Sequence, residues 1–247
     1  MNWKKLMHNS SGQWNHKILI FLICFALACS KEKSEEKNIE RPREVLQNIQ
    51  VDTISTLSSR KLELTKDYCK KNYGFSDYLL DSPKMIVIHH TVIPALAQTI
   101  DLFKQDELAS NRRFINRFSP LNVGIHYVID RDGSIYNLLP DTIIARHIIG
   151  FNHVSIGIEN VAATKDDLTK EQLKSNVELV KALKYIHPTI KFLIGHDEYN
   201  KSNLPHYSLF MSLDENYQPY DKPDPGIRFM KDLRHQLLEK YNLEFLD

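Results

Sequence analysis

Met85-Ile86-Val87-Ile88-His89-His90-Thr91 is the stretch on which the fold turns. Its apolar run is too short for a helix, is mostly β-branched, and passes directly from Pro83-Lys84 into two histidines. Such a run predicts a strand buried on both faces, which belongs in a sheet covered by helices. Working outward, Phe192-Leu193-Ile194 is a second strand of this kind, ending in Gly195-His196, and Val154 to Glu159 is a third, ending on a carboxylate. Between the first and third, Thr99 to Phe118 places Ile100, Phe103, Leu108, Phe114 and Ile115 among polar residues, which predicts one or two short helices. His126 to Asp130 and Ser134 to Leu138 flank Asp132-Gly133 and predict a hairpin. Thr169-Lys170-Glu171-Gln172 is a capping-box pattern, and Leu173, Val177, Val180, Leu183 and Ile186 follow it at helical spacing as far as His187-Pro188. A closing helix is expected from Phe229 to Tyr241. The order strand, helices, hairpin, strand, helix, strand, helix predicts an α/β fold: a single domain with a central mixed β-sheet flanked by helices.

The 247 residues carry 32 basic and 31 acidic side chains, a formal net charge of +1. That balance offers no field to attract nucleic acid, so no nucleic-acid partner is expected. Lys4, Lys5 and Lys17 precede an apolar run from Ile18 to Ala28 that is too short to span a bilayer, which predicts a signal peptide over residues 1–28. The following segment is highly charged and poor in aromatics and is expected to be a flexible tether over 29–61, with the folded domain at 62–247. Of three cysteines, Cys24 lies in the apolar run and Cys29 at its end, leaving Cys69 without an intramolecular partner, and it is expected to be a buried apolar residue. Phe25-Ala26-Leu27-Ala28-Cys29 resembles the lipobox of bacterial lipoproteins, which implies lipidation of Cys29.

Polar groups capable of chemistry sit directly at the strand ends, where an open α/β sheet presents its ligands. His89, Glu159 and His196 would converge if their three strands were neighbours. Lys222-Pro223-Asp224-Pro225-Gly226 is a rigid turn that could add Asp224 and Lys222. Two histidines and one carboxylate suit a catalytic Zn²⁺ with an open fourth position, and a further carboxylate suits a general base. On spacing alone, structural histidines and capping carboxylates are the simpler account of these residues. No Ser-His-Asp or Cys-His arrangement and no Gly-rich phosphate loop is present.

Five segments carry a resemblance to a known family. They are Ile86 to Thr91, Gly124 to Ile135, Asn152 to Glu159, Gly195-His196, and Lys222 to Gly226. Together, in order and over about residues 80–232, they resemble the type 2 N-acetylmuramoyl-L-alanine amidases, a family that includes the peptidoglycan recognition proteins and phage-lysozyme-type amidases. With the lipobox, the resemblance points to a lipoprotein branch. It implies His89, His196 and Asp224 as zinc ligands, Glu159 as general base, Lys222 as the oxyanion-stabilising lysine, and His147 and Asn152 as substrate-binding residues, with His90 either structural or a support behind the ligands. Ile125 stands where the phage-type enzymes have a tyrosine, so the base falls to Glu159.

The interval from His196 to Asp224 exceeds the family's usual loop. The segment 197–221 is therefore an insertion expected to shape the substrate groove, and its Asp197, Glu198 and His206 are alternative ligands. The implied activity is zinc-dependent hydrolysis of the amide between N-acetylmuramic acid and L-alanine in peptidoglycan or muropeptides. A non-catalytic peptidoglycan-binding receptor and a zinc peptidase acting within the stem peptide are the other readings. The expected setting is a monomer exported and held by its lipid anchor in the outer membrane, facing the periplasm.

Overall fold

Parallel pairing of the three apolar strands organises the domain. The computed structural model describes residues 49–246; the expected signal peptide, Cys29 and the tether as far as residue 48 lie outside them. β1 (Val51–Thr53) is followed by α1 (Ser59–Tyr73), β2 (Met85–His90), α2 (Leu96–Lys104) and α3 (Arg113–Asn116). Then come β3 (Tyr127–Ile129), β4 (Ile135–Asn137), β5 (Ser155–Asn160), α4 (Lys170–Ile186), β6 (Phe192–Gly195) and α5 (Ile227–Tyr241). The described strands form one six-stranded sheet in the order β1-β4-β3-β5-β2-β6. β3 and β4 are antiparallel and the remaining neighbours parallel, so the sheet is mixed, as expected.

Every residue of β2 is buried, as its unbroken apolar run requires of a central strand. Its two faces pack differently. Ile86 and Ile88 join Ile156, Ile158 and Leu193 in the main core under α1, α4 and α5, whereas Met85 and Val87 join Ile194, Phe151 and Tyr199 on the other face. Because successive side chains alternate across a strand, His89 continues the row of Met85 and Val87. His89 therefore projects from the sheet face opposite α4 and α5.

Local signals place the flanking elements. Thr169 accepts from the backbone N–H of Gln172 at 3.0 Å while Gln172 Oε1 accepts from Thr169 N–H at 2.9 Å, the reciprocal pair that opens α4. In the β3–β4 turn Gly133 has φ +90°, a conformation costly for any residue with a Cβ.

The start of the domain differs from expectation. Residues 51–61, assigned to the tether, are folded: Val51 to Thr53 pair with Ile135 to Asn137, and Ser58 caps α1 by accepting from Lys61 N–H at 2.9 Å. Charge at Arg60 and Lys61 conceals this in the sequence. Lys61 is buried, with Nζ donating to the carbonyls of Thr56 at 3.0 Å and Phe103 at 2.7 Å. Its charge thus serves to join the β1–α1 connection to α2.

Candidate active site

Three strand ends meet at one point because of register. His89 on β2 stands opposite Glu159 on β5, and Ile88 on β2 opposite Gly195 on β6, so His196 emerges one residue past that pair. His89 Nδ1 and His196 Nδ1 lie 3.0 Å apart. Asp224 Oδ2 is 3.0 Å from His196 Nδ1 and 3.3 Å from His89 Nδ1. The three ligand atoms all fall within 4.8 Å of one another. Two imidazole nitrogens and one carboxylate oxygen aimed at a common point are the donor set of a three-ligand zinc site with a position left for water. The residues present fit the ion.

Electrostatics agree with that geometry. Burial and the neighbouring His89 bring His196 down to about 4, which keeps its ring neutral and its lone pair available. For Asp224, burial acts to raise the carboxyl, but hydrogen bonds with His196 and His89 outweigh it and hold the group far below the usual carboxylate range. Asp224 is therefore an anion set between the two imidazoles.

The turn that carries His196 is held from behind. Glu198 accepts from Gly195 N–H at 2.8 Å and takes two donors from Arg234 on α5, at 3.1 and 2.6 Å. Glu198, an alternative ligand by sequence, thus points away from the donor cluster, and Asp197 and His206 are not members of it either. His206 packs against Phe151, ring centroids 5.6 Å apart. Asp224 is tied to the same turn, its carbonyl accepting from Asp197 N–H at 2.8 Å.

Glu159 shares the cleft with the three ligands and Lys222. Burial first, then the Asp224 charge, pushes its carboxyl well above the ordinary range, while Lys222 acts in the opposite sense. Its Oε2 is buried with no hydrogen-bond partner among the described residues. A carboxylate raised by desolvation beside a metal-donor cluster is the electrostatic signature of a proton-transfer group. Lys222 Nζ sits 4.3 Å from the centroid of the Tyr220 ring.

His147 also lines the cleft, and His89 Nε2 lies 3.0 Å from its Nδ1. Burial and the surrounding His89, His126 and His196 push its pKa well down, so it is neutral. Asn152, expected to bind substrate, does not reach the cleft. It is fully buried, with Oδ1 accepting from the backbone N–H groups of His147 and Ile148 and Nδ2 donating to Tyr68 Oη at 2.8 Å. Its role is to shape the 146–148 backbone. His90 is buried and is not a member of the donor cluster.

The insertion contributes Tyr199, Tyr217 and Tyr220 to the cleft wall. Tyr199 Oη lies 3.2 Å from Tyr217 Oη and accepts from Tyr220 N–H at 2.9 Å, while Tyr220 meets Phe114 edge-on at 5.7 Å. These aromatic contacts join the insertion to α3, so the groove is bounded by two segments distant in sequence. The cleft residues Arg112, Arg146 and Val92 were not anticipated from sequence. Val92 has φ +58°, a strained place for a β-branched residue, in the turn that follows the two histidines.

The chain matches the family model described as N-acetylmuramoyl-L-alanine amidase over residues 80–227. Among solved structures it is similar to the N-acetylmuramoyl-L-alanine amidase LysC from Clostridium intestinale URNW, with a TM-score of 0.46 and 19% identity over 79% of this chain and 99% of that one. It is also similar to a selenomethionine derivative of AmpD, with a TM-score of 0.45 and 22% identity over 75% and 93% of the two chains. Drosophila PGRP-LB gives a TM-score of 0.44 and 17% identity over 80% and 99%. The comparison with curated proteins gives no match.

Proposed function

The chain belongs to the N-acetylmuramoyl-L-alanine amidase family, and from that premise we propose a zinc-dependent enzyme that cuts the amide between N-acetylmuramic acid and L-alanine in peptidoglycan or muropeptides. Membership makes it an amidase. The observation that carries the metal reading is the convergence of His89 Nδ1, His196 Nδ1 and Asp224 Oδ2 within 4.8 Å of one another.

Zinc held by these three residues supplies Lewis acidity, bringing the pKa of water from about 15.7 to about 7. Glu159, desolvated and without a hydrogen-bond partner at Oε2 among the described residues, takes the proton of the attacking water and returns it to the departing amine nitrogen. Lys222 faces the same cleft and balances the oxyanion that develops on the lactyl carbonyl, a contribution of about 3 kcal/mol for donors of this kind. The tyrosines of the insertion hold the substrate against this centre.

Export and anchoring complete the proposal. The apolar run to Ala28 and Cys29 support a lipoprotein branch in which a lipid on Cys29 holds the enzyme at the outer membrane, facing the periplasm, as a monomer. Incubation with muropeptides, with and without a chelator and beside Glu159→Ala, tests the activity by product mass. Release of peptide with free L-alanine at its head, lost on chelation and in the variant, is the expected result. Binding without cleavage would make the protein a receptor, and cleavage elsewhere a stem-peptide peptidase.

A further inference from the structure

We propose that His147 and Ser155 are positioning residues that fix the tautomer of His89, keeping its Nδ1 lone pair aimed at the metal position. The proposal rests on the reading of His89, His196 and Asp224 as zinc ligands. A hydrogen-bonded chain carries it. His89 Nε2 is 3.0 Å from His147 Nδ1, and His147 Nε2 is 3.2 Å from Ser155 Oγ.

A neutral imidazole has one N–H and one lone pair, so the direction of this chain follows from a single choice. If His89 Nδ1 ligates, its proton must sit on Nε2 and point at His147 Nδ1. His147 then accepts there and carries its own proton on Nε2, which donates to the Ser155 hydroxyl oxygen. The hydroxyl ends the chain without conflict because it can accept while its own hydrogen turns elsewhere. A metal-bound histidine whose remote N–H is held in this way is both oriented and made a better ligand.

The surroundings of His147 show that the chain is built in. Its backbone N–H donates to Asn152 Oδ1 at 2.9 Å, and Asn152 is in turn held by Tyr68 of α1. Its ring lies edge-on to His89 at an interplanar angle of 85°, the geometry in which an N–H can meet an in-plane lone pair. Space for the ring comes from Gly157, where a Cβ would fall 2.8 Å from His147 Nδ1 and 2.4 Å from Ile125 Cδ1. Ser155, Gly157 and Glu159 alternate on one face of β5, so one strand supplies the end of the chain, the room for the ring and the general base. With both ring nitrogens engaged inside the protein, His147 has none left to offer substrate.

Zinc titration of the metal-free protein against a competing chelating dye tests the proposal, alongside His147→Leu, His147→Asn and Ser155→Ala. Ring ¹⁵N spectra of His89 report its tautomer. His147→Leu should weaken zinc about 10- to 100-fold with stoichiometry unchanged and the His89 signal no longer that of one tautomer. His147→Asn, whose side-chain oxygen falls near the place of Nδ1, should restore most of the affinity, and Ser155→Ala should lose less than His147→Leu. Thermal unfolding of the metal-free variants identifies any that fail to fold, and a folded Ser155→Ala still decides the matter through the His89 tautomer. Unchanged zinc affinity in folded His147→Leu, or Asn performing no better than Leu, overturns the proposal while leaving the enzyme reading intact. Wild-type protein that takes up no zinc overturns the ligand reading and this inference together.

Discussion

His89 and Glu159 stand opposite one another in the β2–β5 ladder, one a member of the donor cluster and the other outside it. This pairing keeps Glu159, the proposed general base, beside the donor cluster without making it a member. Removing the base should therefore leave the donor cluster whole. Glu159→Gln is expected to lower kcat by about 10²- to 10⁴-fold, the usual range for general acid–base catalysis, while zinc binds at one equivalent as in the parent. Steady-state kinetics and a zinc titration check both halves. A variant of near-parental kcat would remove Glu159 from the mechanism.

Asn152 makes a stability prediction independent of catalysis. Its Oδ1 satisfies two backbone N–H groups, those of His147 at 2.9 Å and Ile148 at 2.7 Å, in a fully buried place. Asn152→Ala leaves both donors without a partner and should cost about 2 kcal/mol, since an unsatisfied buried polar group loses its full desolvation free energy. Denaturant unfolding of the metal-free protein measures this. A midpoint equal to the parent's would mean that water or a backbone shift replaces the amide.

How much of this was legible in the sequence follows from which residues obey local rules. β2, β5 and β6 announce themselves as apolar runs ending in His89, Glu159 and His196, and α4 by its capping box, because these features depend on near neighbours alone. The order β5-β2-β6 meets the condition under which those groups would converge. β1 and the whole of α1 (Ser59–Tyr73) were hidden. Three residues of strand and a buried Lys61 satisfied by distant carbonyls have no local signature. Asn152 misled for a related reason: a polar residue beside a site reads as a ligand-binding group until its partners, here Tyr68 and two backbone amides, are known. Ser155 was the opposite case. It sits in step with Gly157 and Glu159 on one face of β5, a period-2 polar row that the strand prediction contained but did not use.

Cys69 should be chemically silent in the folded protein. It is fully buried on α1, and burial pushes its thiol up to about 12, so the reactive thiolate is scarce at any ordinary pH. Iodoacetamide at pH 8 is expected to leave Cys69 unmodified in native protein and to alkylate it fully in denaturant, as read by intact mass. Rapid native labelling would show that α1 opens readily and that its packing against the main core is weak.

Asp224 and Glu198 are both carboxylates near His196, and they make opposite predictions. Asp224 Oδ2 is within reach of both imidazole Nδ1 atoms, whereas Glu198 is committed to Arg234 and the Gly195 amide. Asp224→Ala should therefore abolish stoichiometric zinc binding at micromolar metal without unfolding the chain, because it removes one of three donors and the anion between them. Glu198→Ala should keep one equivalent of zinc but lower stability by about 1 to 3 kcal/mol, since Arg234 and the Gly195 N–H both lose their acceptor in a largely buried place. Metal content after dialysis and the unfolding midpoint, measured on both variants, separate a ligand from a support. Loss of zinc in Glu198→Ala with retention in Asp224→Ala would reverse the assignment and move the third ligand into the insertion.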